Sequence, residues 1–246
     1  MHWTDDGLIL GTRPHGETGV IVEAMTRAHG RHLGLVHGGR SRKRAAMLQP
    51  GNGVHIAWRA RLDEHLGTFA LEPAGFRAAR LMDSRLGLYG VTLLAAHLRL
   101  LPERDPHAAL YEAAILLADN LTEPQLAPAL FVRFELALLD ELGVGLDLAR
   151  CAATGGNDDL AFVSPRTGRA VSRSSGEPFA AKLLPLPAFL IRSAPADREA
   201  VEDGFRLTGF FLERHVWEPR GVKAPDARAG FLAAASRALA AEAAGG

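Results

Sequence analysis

The chain has 246 residues, 48 % hydrophobic and 23 % charged, with a formal net charge of zero at neutral pH; that length supports one or two domains with a sizeable core. No apolar run approaches the ~18–20 residues needed to cross a bilayer, and "MHWTDDGLIL" carries acids where a secretory signal would be basic. The single cysteine, Cys151, excludes an internal disulfide framework and fits a reducing compartment, so the chain is expected in the cytoplasm.

The first eighty residues read as β-structure. "LILGTR" and the β-branched "GVIVEAMT" are strand candidates, and His29-Gly30 marks a turn into "RHLGLV". "GVHIAWRAR" alternates most clearly, with Val54, Ile56 and Trp58 on one side and His55, Ala57, Arg59 and Arg61 on the other. Trp58 therefore reads as core. "LGTFALEP" completes five short strands, a set suited to a small closed barrel without exposed edges.

Beyond residue 80 the period becomes helical. "DSRLGLYGVTLLAAHLRLLP" places Leu86, Tyr89, Leu93, Leu94, Leu98 and Leu101 on one stripe. The next helix opens at Asp105 as N-cap with Pro106 in its first turn, and its stripe is Leu110, Ala113, Ala114, Leu117 and Leu121. "PALFVRFELALLDELGVG" is apolar nearly all round, interrupted by Arg133, Glu135, Asp140 and Glu141, and predicts a buried central helix stopped by Gly143. Residues 146 to 187 turn rich in Gly, Ser and Pro, with a small hairpin predicted in "AFVSPRTGRAV". A further helix runs from Asp197 to about Trp217, with Val201, Phe205, Thr208, Leu212 and Val216 in phase, and the Ala-rich tail from Asp226 is predicted helical. The domain division read from these changes is 1–80 and 81–246.

The zero net charge hides an asymmetry. Residues 1 to 80 carry a net +4 and the remainder −4. From Thr26 to Leu62 there are eight cations (Arg27, Arg31, Arg40, Arg42, Lys43, Arg44, Arg59 and Arg61) and no acid. Only three of 28 basic residues are lysine; a coding bias explains arginine in place of lysine but not a window without carboxylates. Such a patch on a neutral chain points to a polyanion, since arginine forks match phosphate oxygens and stack on bases. The expected face carries His55, Arg59 and Arg61, with the loop from Arg40 to Arg44 at its rim. The bland reading of that loop is a charged run that keeps it in water.

Enzyme signatures are missing. No Gly-Lys pair exists for a phosphate-binding loop, "GVGLDL" lacks the third glycine of a dinucleotide fingerprint, and nothing matches HExxH. One cysteine cannot build a thiolate zinc cage. His29 and His32, three apart among arginines, read as solvent-facing or phosphate-contacting histidines in preference to metal ligands, and "LDEH" at 62–65 as a surface turn. No catalytic residue, metal or cofactor is expected. Two other readings share these features: a barrel that binds structured RNA, and an adaptor whose basic loop meets an acidic protein.

The order of features resembles one family. "DDGLILGTRPHGETGVIVEAMTRAHGRHLGLVHGGRSR", "LQPGN", "LFVRFELALLDELGVGLDLARC" and "LLPLPAFL" are similar, in order and spacing, to the bacterial RecO recombination-repair proteins, over the chain from its start to about residue 217. The resemblance implies an α+β architecture: an OB-fold barrel followed by an α-helical domain with a small hairpin insertion. It implies a non-enzymatic, nucleoid-associated protein that binds single- and double-stranded DNA and anneals complementary strands. Implied partners are a RecR-type clamp protein, sometimes RecF, and the acidic tail of the single-strand-binding protein. Several relatives carry a four-cysteine zinc module after the central helix. Here the corresponding zinc-finger-like segment, about 146–187, holds Cys151 alone, so zinc is expected to be absent. Arg133 is a candidate for gripping a partner's carboxylate, with a buried pair to Asp140 as the alternative.

Overall fold

The computed structural model describes residues 1–245, with side chains to residue 241. Two compact units divide the chain, Met1–Thr122 and Glu123–Gly246. The first holds strands β1 (His2–His15), β2 (Gly19–Thr26), β3 (Gly30–Val36), β4 (Gly53–Arg59) and β5 (Thr68–Gly75). Helix α1 (Arg42–Met47) lies between β3 and β4; α2 (Ala78–Met82), α3 (Arg85–Leu98) and α4 (Ala108–Asn120) follow the last strand. Period change and compactness thus fall at different places, because three helices after residue 75 pack within the barrel's own unit.

The five strands close into a barrel in the order β1-β2-β3-β5-β4, an OB-like arrangement. Strand β1 makes closure possible. Its first half pairs antiparallel with β4, from His2 opposite Arg59 to Leu8 opposite Gly53. Its second half pairs with β2, from Gly7 opposite Thr26 to His15 opposite Gly19, across a bulge between Ile9 and Gly11. A bulge of this kind bends a strand and increases its twist, which a small barrel requires. Ile9, Val20, Val22, Ala24, Val36, Leu48, Val54, Ile56, Trp58 and Phe69 fill the interior. Trp58 satisfies its indole N–H on the Leu66 carbonyl at 3.0 Å.

Buried Asn52, part of "LQPGN", ties the barrel to the helices. Its amide nitrogen donates to the carbonyls of Ala46 and Met47 at 3.0 and 3.1 Å. Its amide oxygen accepts the N–H groups of Arg77 and Ala78 at 2.8 and 2.9 Å. One side chain therefore closes the end of α1 and opens α2, leaving none of its own polar atoms unpaired in the interior. The helix predicted from Asp83 starts at Arg85 behind Ser84, whose hydroxyl caps α3 through the Gly87 N–H at 3.2 Å. Leu86, Leu93, Leu94, Leu98 and Leu101 are buried as their stripe predicts, but Tyr89 is exposed. The following helix starts at Ala108 behind His107, not at Asp105.

The second unit holds α5 (Ala127–Glu141), strands β6 (Leu160–Val163) and β7 (Ala170–Ser172), the short α6 (Arg173–Gly176), strand β8 (Leu184–Pro185), α7 (Arg198–Leu212) and α8 (Asp226–Gly245). The predicted hairpin gains a third strand, giving a sheet ordered β7-β6-β8. Helix α7 starts where expected, Asp197 accepting the Ala200 N–H at 2.9 Å, and runs into a π-helical turn, Glu213–Trp217. Cys151 is buried and accepts the Ser172 N–H at 3.2 Å.

Phe131, Phe134, Phe205 and Phe231 form the aromatic centre of this unit, with Phe131 and Phe231 centroids 4.7 Å apart. Beside them lies an ion pair whose acid, Glu135, is fully buried and whose base, Arg228, is mostly so. Glu135 on α5 accepts the Arg228 guanidinium of α8 in a fork, at 2.8 and 2.9 Å, and also the Thr208 hydroxyl of α7. Arg228 adds the Phe205 carbonyl at 2.7 Å and lies over the Phe205 ring. Removing one member of such a pair strands a charge in the interior. Glu135→Ala is expected to lower stability by roughly 3–5 kcal/mol in denaturant unfolding. The double change Glu135→Leu with Arg228→Met should cost far less; equal losses would show that packing, not charge, holds α8.

Candidate nucleic-acid interface

The strand registers lay out one row across the outside of the barrel. Trp58, Phe69, Val36, Val20 and Val22 face inward, so alternation turns their neighbours outward. Across the strands the outward partners are His2 with Arg59, Arg59 with Thr68, Thr68 with Leu35, Leu35 with Ile21, and Ile21 with Arg13. Four strand spacings separate Arg13 from Arg59, about 19 Å along the sheet. Both arginines are exposed. Between them lie only neutral side chains, of which Ile21 is buried and Leu35 and Thr68 are half-buried.

The segment after β3 docks beside the Arg13 end. The Arg40 N–H donates to the Thr18 carbonyl at 3.3 Å, and its guanidinium donates to the Glu17 carbonyl at 2.9 Å, so it rests on the β1–β2 turn. Arg42, Lys43 and Arg44, expected in a loop, form the first turn of α1, whose foot is buried Leu48. Arg44 donates to the His37 carbonyl. At the other end β4 stops at Arg59, and Arg61 lies in the bend that follows, not on the strand. Among the described residues, none of Arg13, Arg40, Arg42, Lys43, Arg44, Arg59 and Arg61 forms an ion pair.

The acid-free window is not acid-free in space. Arg31, only 14 % exposed, gives its guanidinium to Glu23 at 2.8 Å, to Glu103 at 3.5 Å and to the Leu101 carbonyl at 3.2 Å. Glu23 also holds Arg99 of the α3 terminus at 2.7 Å. Arg27 pairs with Glu112 of α4 at 2.6 Å and lies over the Tyr111 ring. Burial and the nearby Asp6 carboxylate push the Tyr111 phenol up to about 12. His55 faces outward as predicted but donates its Nδ1–H to the Asp6 carboxylate and has Glu72 as its other cross-strand neighbour. It shares the outward face of β4 with Arg59, as expected, but stands in a separate, acidic cross-strand row with Asp6 and Glu72.

The histidine expectation is corrected too. His32 is buried against Trp3, Trp58 and Phe69, and burial pushes its pKa below the ordinary histidine value; it is a neutral core side chain. His29 stacks on Trp3 at 4.1 Å and reaches Asp5 at 2.9 Å. Trp3 is thereby sandwiched between His29 and Trp58. No Trp, Tyr or Phe ring stands on the row. In the second unit Arg133 is exposed and donates to the Phe189 carbonyl at 2.7 Å, over that residue's ring. The expected partner Asp140 is not its acceptor; the buried pair of α5 is made by Glu135, which faces α7 and α8.

Arg13 lies outside the acid-free window of the sequence, which begins at Thr26. Its place follows once the short turn Gly16–Thr18 sets it opposite Ile21.

Family models for the recombination protein O amino terminus and carboxy terminus match residues 1–74 and 85–224. The chain belongs to the RecO family. DNA repair protein RecO of a Chelativorans species is 61 % identical over 241 residues, covering 97 % of each chain. That of Mesorhizobium japonicum is 63 % identical over 236 residues, 95 % of this chain and 93 % of the relative. That of Brucella abortus is 56 % identical over 241 residues, 97 % and 98 % of the two chains. The RecO family places the chain in DNA repair and recombination. Its amino-terminal match coincides with the barrel, β1 to β5. The RecO carboxy-terminal match begins at the first residue of α3 and so draws on both compact units. No described helix is long and apolar enough to cross a membrane.

The two kinds of arginine should separate by mutation. Arg31→Ala strips charged hydrogen bonds from half-buried Glu23 and is expected to destabilise the protein by roughly 2–3 kcal/mol in urea unfolding. Arg42→Ala should stay within about 0.5 kcal/mol of wild type. Equal effects would contradict the division into structural and free cations.

Proposed function

We propose that the chain is a non-catalytic recombination mediator, working in the cytoplasm at the nucleoid, that binds single- and double-stranded DNA through the outer row of its barrel. The supporting observation is that Arg13, Arg40, Arg42, Lys43, Arg44, Arg59 and Arg61 are exposed cations without a carboxylate partner among the described residues. Such groups neutralise phosphates and release condensed counterions, a sequence-independent source of affinity. Absence of an exposed aromatic ring on the row argues for grip on the backbone without base stacking. Bases held by their phosphates alone keep their pairing edges free. Screening two backbones while leaving the edges free is what annealing of complementary strands requires.

The name carried by its relatives, DNA repair protein RecO, supports the biological setting. Loading of the strand-exchange recombinase, contact with a RecR-type clamp and capture of the acidic tail of the single-strand-binding protein complete the reading. Arg133, exposed on α5 with an aromatic ring beneath it, offers a cationic and apolar contact of the kind an acidic, hydrophobic tail needs.

Salt titration tests the reading. With about six phosphates engaged, raising salt from 50 to 200 mM should weaken single-strand binding roughly 300-fold and duplex binding roughly 2,000-fold. Replacing Arg40, Arg42, Lys43 and Arg44 together with alanine should reduce the single-strand salt slope by roughly 3. An abasic oligonucleotide of equal length should bind as well as a normal one. A flat titration would remove the reading, and preference for structured RNA over DNA would redirect it.

A further inference from the structure

Barrel closure leaves a gap beside β3. That strand meets β5 only at Leu35 opposite Thr68, so its first half lacks a strand partner on that side. The connection between α3 and α4 fills the place. Glu103 bridges Arg31 in parallel register, and the Arg104 N–H donates to the Arg31 carbonyl at 2.9 Å. Gly30, with φ of +66°, makes room: a Cβ there would stand 2.0 Å from the Asp105 carbonyl oxygen. Arg104 itself has φ of +64°, a left-handed conformation that a non-glycine residue adopts only when its surroundings hold it.

The side chain supplies the reason. From this position the Arg104 guanidinium crosses to the β4–β5 connection and donates to three consecutive carbonyls, those of Asp63, Glu64 and His65, the last at 2.9 Å. That connection carries Arg61 and follows directly on Arg59. Among the described residues Arg104 forms no ion pair, so its charge stays in the field of the loop. Its positive charge is thereby held beside the two acids of that connection, Asp63 and Glu64, which follow Arg61 in the chain. Five donors in a rigid planar fork suit three carbonyls in a turn; an ammonium on a flexible stem does not.

We propose that Arg104 is a positioning residue for the DNA-binding edge of the barrel: it accepts an unfavourable backbone conformation to fix the β4–β5 connection and present Arg59 and Arg61 at a set spacing from Arg13. This rests on the outer row binding DNA. Ordering side chains in advance removes part of the entropy that binding would otherwise lose.

Arg104→Gly and Arg104→Lys test it, each measured for thermal midpoint, amide exchange and single-strand affinity. Glycine relieves the left-handed conformation while deleting the fork. The variant should keep a midpoint near wild type, exchange the amides of residues 61–66 faster without change in β1 and β2, and bind DNA roughly tenfold more weakly. Lysine keeps the charge without the fork, so loop exchange should rise as in the glycine variant, with an intermediate affinity. Affinity equal to wild type in Arg104→Gly overturns the proposal. So does an Arg104→Lys variant that binds as wild type, since charge alone would then suffice. Global loss of exchange protection in both variants also overturns it, because the residue would then hold the whole barrel. Wild-type protein without salt-dependent DNA binding would instead remove the underlying functional reading.

Discussion

Strand β1 pairs with β4 through one half and with β2 through the other, and this double pairing is the constraint on which the surface chemistry depends. Side chains alternate with period two, so closing the sheet assigns every barrel residue to the interior or the exterior at once. A slip of one residue would send Trp58 outward and Arg59 inward. Burial of Trp58, Ile56 and Val54, each 1 % exposed or less, opposes that slip, since each contributes about 1.5–3 kcal/mol when removed from water. The same hydrophobic term that builds the core thus fixes the row of Arg13, Ile21, Leu35, Thr68 and Arg59.

Electrostatics then sorts the cations into three states. Arg31 is enclosed and held by two carboxylates; freeing it would leave Glu23 with less compensation in a poorly hydrated site. Arg27 and Glu112 form a short pair but are each about half exposed, 53 % and 54 %. A pair so open to solvent contributes at most about 1 kcal/mol. Arg13, Arg40, Arg42, Lys43, Arg44, Arg59 and Arg61 are exposed and, among the described residues, pair with no carboxylate. A polyanion meets these states differently: it gains most from the third, competes cheaply for the second and leaves the first untouched. Zero net charge is compatible with this because steering responds to the local field, and the acidic excess beyond residue 80 includes the carboxylates Glu103 and Glu112 that bind Arg31 and Arg27.

Local patterns in the sequence proved readable where a single physical period governs them. Alternation at 53–58 gave the inward face of β4, and the stripe Val201, Phe205, Thr208, Leu212 and Val216 is buried throughout α7 and its continuation. Pairings between distant positions were not readable. Arg31 meets Glu103 72 residues away, and Glu135 meets Arg228 93 residues away; nothing local marks either partner. Arg133 was favoured because it interrupts an apolar run, yet Glu135 two positions on is the residue that faces the core. Arg104 has no sequence signal at all, since its importance arises from a gap between β3 and β5 that exists only after the barrel closes. Counting acids along the chain could not find an acid-free face for the same reason.

Phosphates are expected along the row running from Arg13 to Arg59. Backbone amide NMR of the full chain titrated with a short single strand tests this residue by residue. Shifts concentrated at Arg13, Ile21, Leu35, Arg59 and Arg61 and along Arg40–Arg44, with Asp6, His55 and Glu72 unmoved, are the expected result. Shifts centred on the His55 row, or confined to the helices of the second unit, would place the phosphates elsewhere and rule this row out.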